Sequence, residues 1–182
     1  GTLRWGSHDS QQVVSEVSLY MYDLSKGFAK QMSQSILGKQ IDGVWHTAVV
    51  VFGKEFFFGG GIQSGDPGQT PYGTPVERIS LGETTKTLEN FLKFLEVRSQ
   101  RFSVDTYNLL HNNCNDFSNE CSMFLTGSAI PAHITSLPSE VLNSPIGAMV
   151  QPYLHQLQQQ GGPLLDRGMQ ALRQRMSRAQ TG

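Results

Sequence analysis

The stretch His111-Asn112-Asn113-Cys114-Asn115-Asp116-Phe117-Ser118 places a cysteine between a cluster of asparagines and the start of a helical pattern. Apolar residues then recur at helical spacing, at Phe117, Cys121, Phe124 and Leu125. Asn112 or Asn113 can cap such a helix, because an Asn side-chain oxygen accepts hydrogen bonds from backbone N–H groups of the first turn. Gly127 is a typical residue for the end of a helix. The sequence therefore predicts a helix that has Cys114 in its first turn and a stop signal at Gly127.

Cys114 falls in the first turn of this predicted helix. There the helix dipole and the unpaired N–H groups favour negative charge, so we expect the position to lower the pKa of the thiol and to make the sulfur a better nucleophile. The same N–H groups can stabilise an oxyanion on a substrate carbonyl. The alternative is a small buried apolar residue, which is the commoner role of a cysteine. Cys121, close to the same helix face, is predicted to be core.

A nucleophilic cysteine also needs a base, so the five histidines are the next candidates: His8, His46, His111, His133 and His155. His46 opens the strand-like run 45–52, and a histidine at a strand end can face a cleft while the strand body stays packed. The other four lie in polar, proline-flanked or turn-like surroundings. His46 is therefore the candidate base. It is far from Cys114 in sequence, so only the fold can bring the two residues together.

Seven short segments extend this pattern over most of the chain: Tyr20-Met21-Tyr22-Asp23-Leu24-Ser25-Lys26-Gly27, Leu37-Gly38-Lys39-Gln40, Trp45-His46-Thr47, Glu55-Phe56-Phe57-Phe58-Gly59, Asn112-Asn113-Cys114-Asn115-Asp116-Phe117-Ser118-Asn119-Glu120, Phe124-Leu125-Thr126-Gly127 and Leu137-Pro138-Ser139-Glu140-Val141-Leu142. Together, and in this order, they resemble the PPPDE family of permuted papain-fold peptidases, most closely its desumoylating isopeptidase branch. The resemblance covers residues 16 to 150.

The resemblance implies an α+β fold, a circularly permuted papain-like cysteine peptidase with a small antiparallel sheet packed with helices. It also implies a Cys–His dyad in which His46 is the base and Cys114 the nucleophile, acting through a thioester. The implied substrate is the isopeptide bond between the C-terminal glycine of SUMO, or ubiquitin, and a lysine. A Gly-Gly tail needs only a narrow groove, for which the loop 59–73 and Trp45 are candidate walls. The resemblance further implies a homodimer.

Two other functions remain open at this point. The first is a thioesterase or acyl-chain hydrolase similar to lecithin:retinol acyltransferase-like proteins, which also place a histidine before an Asn-Cys pair on a permuted papain-like fold. The second is a non-catalytic module that binds ubiquitin-like modifiers. The pair Asn113-Cys114 does not decide between these functions and the isopeptidase.

Composition excludes several classes of protein. The 182 residues carry a net charge of −1, which gives no global basic field for nucleic acid or an anionic membrane. No apolar run is long enough to span a membrane. The two cysteines form no disulfide framework and lack the spacing of zinc ligands, so we expect no metal or other cofactor. Reduced cysteines point to the cytoplasm or the nucleus.

The chain divides into three predicted parts. Residues 1–15 are a polar, flexible N-terminal segment, residues 16–150 form the peptidase domain, and residues 151–182 form a C-terminal helical extension or linker with a basic amphipathic helix. Within the domain, alternation and apolar runs predict strands at 17–22, 44–52, 55–58 and 76–81, with 44–52 central. Helical spacing predicts helices at 24–37 and 87–97, while 59–73 and 127–135 are predicted loops.

Overall fold

The computed structural model describes residues 11–135, 139–152, 155, 174 and 178. In these ranges the strands are β1 (Ser15–Asp23), β2 (Trp45–Val51), β3 (Lys54–Gly59), β4 (Gly61–Gly65) and β5 (Glu77–Thr84). The helices are α1 (Phe28–Leu37), α2 (Leu88–Arg98), α3 (Cys114–Thr126), α4 (Ala132–Thr135) and α5 (Ser139–Leu142). A 3₁₀ helix covers Val104–Thr106, and residues 145–152 are also helical.

The strands form one antiparallel sheet in the order β4-β3-β2-β1-β5. The predicted central strand is confirmed, since β2 lies in the middle of this sheet with β3 on one side and β1 on the other. The turn between β2 and β3 uses Phe52 and Gly53, which both have positive φ, at 54° and 72°. Two central residues of positive φ match the twist of a two-residue hairpin. The predicted α+β fold is therefore confirmed.

Two predicted loops contain regular structure. The prediction of a loop over 59–73 was wrong for Gly61–Gly65, which pairs with β3 as β4. Gly, Gln and Ser are poor strand formers. Here the backbone of the phenylalanine-rich β3 provides the hydrogen-bond partners that hold this segment in a strand. The prediction of a loop over 127–135 was likewise wrong at Ala132–Thr135, which is α4. The first predicted helix starts later than expected, at Phe28, because Asp23 accepts hydrogen bonds from the backbone N–H groups of Ser25 and Gly27 and holds a turn there.

Both faces of the sheet are covered, which gives two apolar clusters. The first cluster packs α2 and α3 on one face and includes Val49, Phe56 and Phe117. The second lies on the other face and includes Tyr22, Phe57 and Ile146. Because successive residues of a strand point to opposite faces, neighbouring residues of β2 belong to different clusters.

The outer predicted parts are only partly described. Ser15 already belongs to β1, while residues 1–10 of the predicted N-terminal segment lie outside the described residues. Most of the predicted C-terminal extension, 151–182, also lies outside them. Among the helices that the structure does describe, none has the length and apolar character needed to cross a membrane.

Candidate active site

The N-terminus of α3 is built by the asparagine cluster, as the sequence predicted. Asn113 is the N-cap, and its side-chain oxygen accepts from the backbone N–H groups of Asn115 at 2.8 Å and Asp116 at 3.1 Å. Asp116 completes a capping box by accepting from the backbone N–H of Asn113 at 2.8 Å. Cys114 is therefore the first residue of the helix, and Gly127 ends it in the left-handed conformation with φ at 75°.

The thiol of Cys114 is buried, with 2% of the residue exposed. Burial raises its pKa from 9.0 to about 11, although hydrogen bonds from the backbone N–H of Thr47 and from the Tyr107 hydroxyl act in the opposite direction. The expectation of a lowered thiol pKa was therefore wrong for this state. The helix N-terminus favours the thiolate, but the cost of removing a charge from water is larger here. Both Cys114 and Cys121 are free thiols, and Cys121 is core as predicted.

Asn115 joins the start of α3 to the start of β2. Its side-chain oxygen accepts from the Thr47 hydroxyl at 2.8 Å, and its amide nitrogen donates to the Trp45 carbonyl at 3.0 Å. A second carbonyl, that of Ile134, lies 3.4 Å from the same nitrogen. The bonded residues flank His46 on both sides, so Asn115 fixes the cysteine helix against the histidine strand. Sequence reasoning missed this role. The available signal was a polar residue on the buried side of α3.

His46 points away from the face on which Asn115 and Thr47 meet. It is fully buried, and its ring lies among three aromatic rings of the second cluster. The Tyr72 ring stacks on it with centroids 3.4 Å apart and planes 12° apart. Tyr22 and Phe57 lie at 5.7 and 5.9 Å. The expectation that His46 faces a cleft was therefore wrong for this state, because the segment that follows β4 brings Tyr72 over the ring.

The imidazole of His46 is neutral in this environment. Burial lowers its pKa from 6.5 to about 3. Neither Nδ1 nor Nε2 has a hydrogen-bond partner among the residues that the structure describes. The backbone at His46 therefore lies beside Cys114, because the N–H of the next residue, Thr47, donates to the thiol. The imidazole of His46 makes no hydrogen bond to the thiol.

The other candidate side chains form no second site within the described part of the chain. His111 and His133 are exposed, and His8 lies outside the described residues. Trp45, a candidate groove wall, is half-buried and packs against the first cluster. Within the described part of the chain, no group of three or more His, Cys, Asp or Glu side chains is arranged to hold a metal ion.

Comparison with known proteins places this chain in a family. A family model described as "PPPDE putative peptidase domain" matches residues 15–155. The chain belongs to this PPPDE peptidase family. It is 49% identical over 155 residues to Desumoylating isopeptidase 1 of Homo sapiens, which covers 83% of this chain and 92% of the relative. The Xenopus laevis protein of the same name is 47% identical with the same coverage.

More distant relatives match a smaller part of the chain. DeSI-like protein sdu1 of Schizosaccharomyces pombe is 34% identical over 103 residues, which is 52% of this chain and 51% of the relative. The predicted family membership is confirmed by these matches and by the family model. The chain therefore carries a peptidase domain, and α3 with its cysteine lies within the matched residues.

Proposed function

We propose that this protein is a cysteine isopeptidase that cleaves the bond between the C-terminal glycine of SUMO and a lysine side chain. Cys114 is the nucleophile and His46 the base. The observation that carries the proposal is the position of Cys114, at the first residue of α3 with Sγ facing the backbone N–H of Thr47, the residue after His46. The identity of 49% to a relative named Desumoylating isopeptidase 1 supports the substrate class.

The described arrangement is a resting state of this proposed dyad. The thiol and the imidazole are both neutral, because burial raises the pKa of Cys114 and lowers that of His46. Proton transfer requires the imidazole to leave the stack with Tyr72 and to hydrogen-bond with Sγ. Once the Cys114 thiolate and the His46 imidazolium form side by side, each charge stabilises the other. We propose that the bound substrate tail displaces Tyr72 and so allows this pairing.

The reaction then follows in two steps. His46 takes the thiol proton, Sγ attacks the glycine carbonyl, and the lysine amine leaves with the proton that the imidazole holds. Water, activated by His46, hydrolyses the thioester and frees the glycine carboxylate. A tail of two glycines suits a site this enclosed, because it brings no side chain past the segment that carries Tyr72.

Hydrolysis of a purified SUMO–lysine isopeptide conjugate tests the proposal. The wild type should cleave it, and Cys114→Ser and His46→Gln should each lose at least about 10³-fold in kcat/KM. Cys121→Ser is the matched control, since it removes the other thiol of the same helix and should retain activity. A ubiquitin conjugate assayed in parallel tests the choice of modifier. Full activity in Cys114→Ser would contradict the proposal.

A further inference from the structure

Tyr107 places a hydroxyl beside the thiol from outside α3. Its Oη lies 4.0 Å from Sγ of Cys114. We propose that Tyr107 is a catalytic residue, whose hydroxyl donates a hydrogen bond to the oxyanion formed when Sγ attacks the substrate carbonyl. This inference rests on the proposed function, and it names a donor for which the sequence offered no candidate.

The helix itself can supply few donors for this purpose. The side chain of Asn113 already occupies the N–H groups of Asn115 and Asp116. The N–H of Phe117 donates to the backbone carbonyl of Asn113. Of the first four residues of α3, only Cys114 therefore has a backbone N–H outside these bonds. A second donor has to come from another element, and the Tyr107 hydroxyl is a side-chain donor that already reaches Sγ.

Tyr107 is held rigidly enough for this role. Its ring packs against Phe58 of β3, with centroids 5.0 Å apart. The side-chain nitrogen of Asn112 donates to the carbonyls of Thr106 at 3.1 Å and Arg101 at 2.7 Å. On the other side, the backbone N–H of Asn108 donates to the carbonyl of Asn112 at 2.9 Å. The hydroxyl is thus positioned before any substrate arrives, which is what makes an oxyanion donor effective.

The chemistry requires a donor that keeps its proton. Burial raises the pKa of Tyr107 well above 10, with further contributions from Cys114 and Tyr72. As the bond between sulfur and carbon forms, the π pair of the carbonyl moves to its oxygen, which is two bonds from Sγ. A hydroxyl 4.0 Å from the sulfur can bind that oxygen, since effective donors lie about 2.7–3.1 Å from it. When the oxyanion collapses, the bond between carbon and nitrogen breaks and Tyr107 retains its proton.

Tyr107→Phe tests the inference by comparing two reactions of the same thiol. Hydrolysis of the SUMO conjugate passes through an oxyanion, whereas alkylation by iodoacetamide does not. We expect kcat for hydrolysis to fall by about 10²–10³-fold, with KM nearly unchanged. The alkylation rate of Cys114 should fall much less, because the hydroxyl also lowers the thiol pKa but burial has the larger effect on it. Phe keeps the ring contact with Phe58, and circular dichroism checks the fold. Tyr20→Phe is the matched control, because Tyr20 lies on β1 with Arg78 over its ring. This variant should hydrolyse the SUMO conjugate as the wild type does.

Each other outcome rejects the role of Tyr107. Parallel losses in hydrolysis and alkylation would mean that the hydroxyl acts on the thiol and not on the oxyanion. Unchanged hydrolysis would leave the N–H of Thr47 as the second donor. Failure of the proposed function is seen separately, since the wild type itself would then not hydrolyse the conjugate, and the inference about Tyr107 would fall with it.

Discussion

The acidity of Cys114 gives a quantitative prediction for the free enzyme. Burial raises the thiol pKa from 9.0 to about 11. Two pKa units correspond to about 100-fold less thiolate at neutral pH than an ordinary cysteine has. Because the thiolate is the reactive form, iodoacetamide should alkylate Cys114 about 100-fold more slowly than a small free thiol at pH 7.5. The rate should rise with pH up to about 11. The alkylation is followed by mass spectrometry of the intact protein.

Two variants separate the thiols in this assay. Cys121→Ser leaves Cys114 as the reacting cysteine, while Cys114→Ser reports on Cys121, which is fully buried and should react only through unfolding. A rate at pH 7.5 that equals or exceeds that of a free thiol, and that does not change between pH 6 and 9, would refute the reasoning. It would mean that the thiolate and the imidazolium are already paired in the free enzyme.

Three further predictions concern the elements around the thiol. His46 has a folded-state pKa of about 3, below its unfolded value of about 6.5, so its contribution to stability is complete above pH 6.5 and is lost as the pH falls towards 3. Between pH 7 and pH 5, the free energy of unfolding measured with urea should fall by about 2 kcal/mol more in the wild type than in His46→Gln. Equal decreases in the two proteins would contradict this. Asn115→Ala removes the bonds to Thr47 and Trp45 and should lower the free energy of unfolding by about 2–4 kcal/mol, whereas a change below about 1 kcal/mol would show that α3 is held by other contacts. Tyr72→Ala should raise the pKa of His46 towards 6.5 in an NMR titration, because the change admits water to the imidazole. An unchanged pKa would show that the Tyr72 ring is not what excludes water from His46.

Local signals in the sequence were sufficient to predict α3. A cap at Asn112 or Asn113, Cys114 in the first turn, the buried Cys121 and the end at Gly127 all depend on residues within a few positions of one another. The structure confirms these predictions and shows that the cap is Asn113. For the same reason α2 was predictable from its cap Thr87 and its apolar spacing.

The environment of the site was not predictable in the same way. Tyr72 reaches His46 because β4 pairs with β3 and turns the chain back over the sheet, and Gly61–Gly65 carries no strong strand signal. The pKa of Cys114 depends on how completely distant segments exclude water, which the first turn of a helix does not reveal. Family resemblance supplied the pairing of His46 with Cys114, and this pairing remains a proposal.

The most direct test of the account is covalent capture with a SUMO probe that carries an electrophile in place of its C-terminal glycine carbonyl. We predict a single adduct that peptide mapping by mass spectrometry places on Cys114. The adduct should be absent in Cys114→Ser and form much more slowly in His46→Ala. No adduct in the wild type, or an adduct on Cys121, would contradict the assignment of Cys114 as the nucleophile of a SUMO isopeptidase.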